Sequence, residues 1–255
     1  MPGNEVEVAR YLIKHLGKIE LPHLGTIESV GAPRAYSGYY TLTDVSDVKL
    51  VSSPDARKKA DLYLNGVGVS VKQVGGSFAF NRIQRANIES LFRQIGISDI
   101  HRKLTKLDTE VKLFHQGRLS RRNRPWKDFF DESDFWKLLE FLMMKGSPNL
   151  GVSKHPAELI LEAPQHFLDG RISVYSFDEY FSKYKETFKI AIRRQWVGQA
   201  SKSEHSRAVS LAKKTGNAPW VFEDVAGYPN SGWRPGFPKN LRKTVYFLMI
   251  EKVKY

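Results

Sequence analysis

The stretch Lys58–Gln73, KKADLYLNGVGVSVKQ, decides the fold. Asn65-Gly66 at its centre is a strong hairpin signal, because a type I′ turn needs positive φ at both central residues. Pairing outward from that turn sets Leu64 against Val67, Tyr63 against Gly68, Leu62 against Val69 and Asp61 against Ser70. Side chains alternate faces along a strand, so Leu62, Leu64, Val67, Val69 and Val71 make one apolar face. Asp61, Ser70 and Lys72 fall on the other. Asp61 and Ser70 are then roughly 5 Å apart at Cβ, with Lys72 one diagonal step further. A carboxylate and an ammonium sharing the solvent face of a hairpin is also an ordinary cross-strand pair, so the surrounding signals carry the decision.

The chain has 255 residues, enough for one large domain or a core with an elaborated second lobe, and 41% hydrophobic content supports a substantial core. It has no cysteine, which excludes disulfides and thiolate zinc sites. The opening MPGNEVEVAR lacks an apolar run after a basic start, so no signal peptide is expected. No segment approaches the roughly 18 apolar residues that span a bilayer, and a cytoplasmic protein is expected. A net charge of +13 points to a polyanionic partner. The seven histidines show no zinc-binding spacing, Gly75-Gly76 lacks the Lys-Ser/Thr of a P-loop, and no Gly-x-Ser-x-Gly elbow occurs.

A coarse pass predicts an α/β (α+β) core followed by a mostly helical extension. Residues 5–16 place Val6, Ala9, Ile13 and Leu16 on one helical face. Residues 18–53 read as strands and turns. NRIQRANIESLFRQIG reads as a helix ending at Gly96, and further helices are expected near 132–145, 156–163, 178–194 and 203–214. The closing RKTVYFLMIEKVKY reads as a strand. In the helix after the hairpin, Ile88, Leu91 and Ile95 define the inward stripe and Gln84 falls in its middle. A buried Gln needs a partner. Gln84 is either a structural amide or turns toward the Asp61/Lys72 face.

A strand opening on Asp, a hairpin, a second strand ending in x-x-Lys and a following helix resembles the PD-(D/E)XK nuclease superfamily, which includes most type II restriction endonucleases. The matching residues are Asp61, the strands around Asn65-Gly66, Ser70-Val71-Lys72 and, after the lysine, Gln84. The resemblance covers about residues 5–95 and departs from the usual pattern at Ser70, where an acidic residue is customary. A Ser-x-Lys form occurs in some restriction enzymes, with the missing carboxylate supplied from elsewhere. Glu5, close to the apolar side of the first helix, is the first choice here and Glu28 the second, while Glu89 points the wrong way on its helix. Pro54-Asp55 is a literal Pro-Asp, but it sits in SSPDARKK, which reads as a turn, and Asp61 is preferred.

The resemblance implies a restriction-endonuclease-like mixed sheet flanked by helices. Residues 1–100 would be the catalytic core, and 101–255 a mainly helical DNA-binding and dimerisation extension closing back on it. It implies Mg²⁺ as cofactor, a hard ion that takes oxygen ligands and keeps several waters. Asp61 would be the principal ligand, with Glu5 beside it. Ser70 would hold a water, Lys72 would orient or deprotonate the nucleophile, and Gln84 would position one of them. The implied activity is sequence-specific cleavage of double-stranded DNA to 5′-phosphate and 3′-hydroxyl ends, by a homodimer. A repair or junction nuclease on the same core is the alternative enzyme, and a non-catalytic nucleic-acid-binding protein on a decayed core is the alternative of another class.

Two basic stretches are candidates for DNA contact. QGRLSRRNRPWK carries Arg118, Arg121, Arg122, Arg124 and Lys127 beside Trp126, suited to phosphates or simply a solvated loop. IRRQWVGQASKSEHSR carries Arg193, Arg194, Gln195 and Gln199, side-chain types that read G and A in the major groove, though a basic helix end looks the same. The aromatic and Gly-rich run at 218–238 is too long for a simple connector.

Overall fold

The structure is a computed structural model that describes residues 4–51, 58–76, 83–115, 118–119, 123–148, 150–164, 170–193 and 247–252. Its helices are α1 (Glu5–Lys14), α2 (Arg85–Gln94), α3 (Ile100–His115), α4 (Glu132–Glu140) and α5 (Phe177–Tyr184). The strands up to the hairpin are β1 (Glu20–Leu21), β2 (Gly25–Thr26), β3 (Val30–Pro33), β4 (Tyr39–Thr41), β5 (Leu62–Leu64) and β6 (Val67–Gln73). Those beyond it are β7 (Ile83–Gln84), β8 (Asn123–Pro125), β9 (Gly146–Ser147), β10 (Gly151–Val152), β11 (Leu159–Ala163), β12 (Ser173–Tyr175), β13 (Phe188–Arg193) and β14 (Phe247–Lys252).

The chain divides into two compact units. One comprises Met1–Ser77, Leu139–Thr187 and Lys254–Tyr255; the other comprises Phe78–Leu138 and Phe188–Val253. The first unit is interrupted near residue 78 and resumes at 139, because its sheet needs strands from the far side of that interruption.

The hairpin forms with the expected register: Leu62 opposite Val69, Tyr63 opposite Gly68, Leu64 opposite Val67. Asn65 and Gly66 both take positive φ, 48° and 83°, which is what a I′ turn demands. Asn65 also accepts from the Glu28 and Ser29 amides and donates to the Leu24 and Thr26 carbonyls, tying the turn to the preceding segment. The hairpin sits inside a six-stranded mixed sheet of order β12-β11-β6-β5-β3-β4. Every neighbouring pair is antiparallel except β6 and β11, which run parallel.

Leu62, Leu64, Val69 and Val71 face a core shared with Val8, Ala9, Leu12 and Ile13 of α1. The helix buries those four, with Val6 and Leu16 packed at the margin. Its Glu5 and Glu7 in the first turn and Lys14 in the last complement the helix dipole. On the opposite face α5 packs on β11 and β12, with the Tyr184 hydroxyl bonded to Glu162. The sheet is thus mixed and flanked by helices on both faces.

Residues 156–163 are not a helix. Leu159–Ala163 is β11, buried along its whole length between β6 and β12. The expected helix at 178–194 ends early: α5 and a short 3-10 turn reach Thr187, and Phe188–Arg193 is a strand. The helix expected at 132–145 holds, with Phe141–Lys145 as a π-helical turn.

The second unit carries a four-stranded sheet of order β7-β14-β13-β8. The expected closing strand is its β14. Its aromatic core includes Trp126 stacked on Phe135 at 4.4 Å, with Phe92, Phe130 and Phe188 nearby. Among the described residues no helix is long and apolar enough to cross a membrane.

Candidate active site

Asp61 sits where β5 begins, and its side chain replaces a missing rung of the ladder. The Asp61 amide still donates to Val69 O, at 2.8 Å, but Lys59 and Ala60 donate instead to the His155 carbonyl. That peeling leaves the Val71 amide without its antiparallel partner, and the Asp61 carboxylate takes it at 2.8 Å. Ser70 donates to the same oxygen, Oδ2, at 3.3 Å. The Lys72 ammonium donates to Ser70 Oγ at 2.5 Å and stands 3.9 Å from Asp61 Oδ2. Ser70 therefore bridges lysine to aspartate. The Val71, Ser70 and Lys72 contacts above all involve Oδ2.

Glu5 joins this group through an unusual helix start. Asn4 occupies the N-cap position but makes no side-chain cap. Its amide donates instead to the Ala163 and Pro164 carbonyls, at 2.9 and 3.0 Å, pinning the first turn of α1 to the end of β11. β11 runs beside β6 with Glu162 opposite Lys72 and Ala163 opposite Gln73. The clamp thus brings Glu5 within electrostatic reach of both Asp61 and Lys72.

Burial pushes the Asp61 carboxyl above its usual range, against the pull of Lys72, the Val71 amide, Ser70 and Lys59. Burial likewise raises Glu5; its own backbone amide and Lys72 oppose the shift, and the Asp61 charge adds to it. Two carboxylates raised by burial and within electrostatic reach of each other form an arrangement that a hard cation relieves. The oxygen donor set fits Mg²⁺, which needs only one or two carboxylates when waters and phosphate complete its shell. Among the described residues no group of three acidic or histidine side chains is poised for a metal.

The other predicted residues fare differently. Gln84 is not on a helix: it lies in β7, paired with Phe247 of β14, and α2 begins one residue later. Strand pairing with the far end of the chain overrides the helical period there. Glu28 is exposed at the turn end of the hairpin, away from Asp61. Glu89 is exposed and paired with Arg93. Pro54-Asp55 lies outside the described residues.

In the first basic stretch Arg118 and Lys127 are exposed, while Arg124 is half-buried and paired with Glu110 and Asp128. Trp126 is a core residue. Arg193 ends β13, opposite Phe247. Arg121, Arg122, Arg194, Gln195 and Gln199 lie outside the described residues, as do the expected helix at 203–214 and the run at 218–238.

Two charged residues near the site escape sequence reading. Lys59 is buried and donates to the Leu142 carbonyl, at 2.8 Å, in the π-helical turn. Burial, with the charge of Lys72, lowers its pKa to about 8 against the weaker pull of Asp61. Glu162, opposite Lys72 on β11, is buried and accepts from the Tyr184 hydroxyl at 2.5 Å. Recognising 159–163 as a strand would have found Glu162; no local pattern marks Lys59.

No family model, curated protein or solved structure matches the chain.

Proposed function

We propose that this chain is a Mg²⁺-dependent endonuclease of the PD-(D/E)XK type, acting as a type II restriction enzyme on double-stranded DNA. One observation carries the reading: Asp61, Ser70 and Lys72 form a bonded series on the central hairpin of the sheet, and Glu5 lies within electrostatic reach of Asp61 and Lys72. The mixed sheet with helices on both faces, and β6 at its centre, supports the same resemblance.

Asp61 and Glu5 would hold the metal, which when bound supplies Lewis acidity to the scissile phosphate and acidity to an attacking water. Lys72 lies on the same face to orient that water and to offset charge growing on the phosphate oxygens. Ser70 fixes the Lys72 ammonium relative to Asp61. Water oxygen would bond to phosphorus as the P–O3′ bond breaks, leaving a 5′-phosphate and a 3′-hydroxyl. Arg118 and Lys127 are exposed cations that would contact backbone phosphates. Cleavage of both strands at a symmetric site favours a homodimer.

Plasmid and phage DNA incubated with the purified chain, in Mg²⁺ and in EDTA, beside the Lys72→Ala variant, test this. Discrete Mg²⁺-dependent fragments absent with the variant are expected. Cutting of branched DNA alone would reassign the enzyme to repair or junction processing. Metal-independent binding without cleavage of any DNA would leave a binding protein.

A further inference from the structure

A cavity of about 260 Å³ opens in the first unit, a short chain distance from Asp61. Three segments far apart in sequence build it: Ala35–Tyr36 after β3, Lys58, and Ser147–His155 around the β9–β10 hairpin. Its rim is aromatic, aliphatic and basic at once. Tyr36 is 78% exposed, and Leu150 and Val152 are exposed beside it. Lys154 is exposed as well, while Lys58 is half-buried and anchored to Pro33 O at 3.0 Å. Large exposed apolar side chains gathered around a cavity, rather than scattered singly, mark a binding site.

The floor is braced. His155 Nδ1 and the Tyr63 hydroxyl are 2.9 Å apart, and Tyr63 stacks on Tyr39 with ring centroids 4.5 Å apart. Pro156 presses on β6 at Gly68, where a Cβ would come within 2.5 Å of its carbonyl oxygen. The His155 carbonyl accepts from both Lys59 and Ala60, so the strand leading to Asp61 is fixed to the cavity wall. Lys58 and Asp61 are three residues apart, at most about 11 Å along the chain. That is the axial span of about three base steps in one DNA strand.

We propose that this cavity receives one nucleobase of the bound DNA strand, extruded from the stack within about three base steps of the scissile phosphate. An aromatic platform with apolar walls and a few polar groups is what a base outside the helix requires. The volume falls below the roughly 300–1,000 Å³ of clefts for drug-sized ligands, in keeping with a single base. The lysines at the rim complement the flanking phosphates of a polyanion, as the net charge of +13 does for the whole chain. The proposal rests on the nuclease reading and assigns it a substrate contact.

The test uses the full chain carrying Lys72→Ala, so that bound DNA stays intact, and duplex oligonucleotides substituted with 5-iodouracil. Irradiation is expected to join the base to Tyr36, identified by peptide mass spectrometry. Tyr36→Ala should abolish that adduct and weaken binding about 10-fold. Lys154→Ala should lower the salt dependence of binding by about one counterion. Tyr36 and Lys154 are exposed, so neither change should disturb folding. DNA binding with adducts only elsewhere, and unchanged affinity in both variants, would overturn the cavity and leave the nuclease reading standing. Binding through Tyr36 by a chain that never cleaves would overturn the nuclease reading and leave the base pocket. An absence of DNA binding would overturn both.

Discussion

The two units each hold a cluster of Lys, Asp and Ser, and the two aspartates titrate in opposite directions. In the second unit Lys103 donates to Asp134 at 2.7 Å, and Ser98 adds its hydroxyl at 2.6 Å and its amide at 2.9 Å. Burial pushes Asp134 up, but those bonds outweigh it and hold the carboxyl at about 2. In the first unit Lys72 stands 3.9 Å from Asp61 and spends its short bond on Ser70. A second carboxylate, Glu5, is held close by, and burial prevails. The same residue types therefore make a carboxylate whose bonds outweigh burial in one place and one whose burial outweighs its bonds in the other. The balance of pairing against burial, not the presence of charge, separates the two clusters.

Five substitutions would break or sharpen that contrast. Lys72→Ala should lower cleavage about 10³-fold, about 4 kcal/mol in the barrier, with the melting temperature little changed. Equal cutting by the variant would make the first cluster as structural as the second. Asp134→Ala should cost about 3 kcal/mol in urea unfolding, because buried Lys103 then falls back on the more exposed Asp131, at 3.3 Å. A loss below about 1 kcal/mol would remove the structural role of that pair.

Acid separates the clusters by sign. The lowered pKa of Asp134 contributes about 2 kcal/mol above pH 4, which disappears as pH falls through about 2. Asp61 works in reverse: its folded pKa is raised, so ionisation above the ordinary 3.8 costs stability. At pH 7, Asp134→Asn should therefore destabilise and Asp61→Asn should not. Equal losses would erase the contrast. The smallest effect belongs to Glu5→Gln, expected to weaken Mg²⁺ binding about 10-fold by calorimetry, roughly 1.4 kcal/mol. Unchanged affinity would leave Asp61 as the sole carboxylate ligand.

The hairpin and its register were legible because Asn65-Gly66 fixes the turn, and the turn fixes which side chains share a face. Glu5 was chosen for its place near the apolar side of the first helix, and the Asn4 contact that ties that helix to β11 was not visible. Residues 159–163 misled because a short apolar run fits a buried strand and a helix equally well, and parallel pairing with β6 decided between them. Gln84 misled for a related reason, since its partner strand lies at 247–252. Lys59 and the cavity around Tyr36 have no local signature: their surroundings come from segments that only the tertiary structure gathers.

The interrupted order of the first unit also has a consequence for synthesis. β6 is complete by residue 73, but its parallel neighbour begins at residue 159, after Phe78–Leu138 has been made for the other unit. Until β11 emerges, the nascent chain presents β6 as an open edge carrying Ser70 and Lys72, a template for pairing with other chains. Closing so long a loop is slow relative to forming the hairpin. The bonds among Asp61, Ser70 and Lys72 can form with the hairpin, but the Asn4 clamp and the His155 contacts that fix their surroundings wait for the later segment, so translation speed or chaperone cover over residues 78–158 should govern the yield of competent protein.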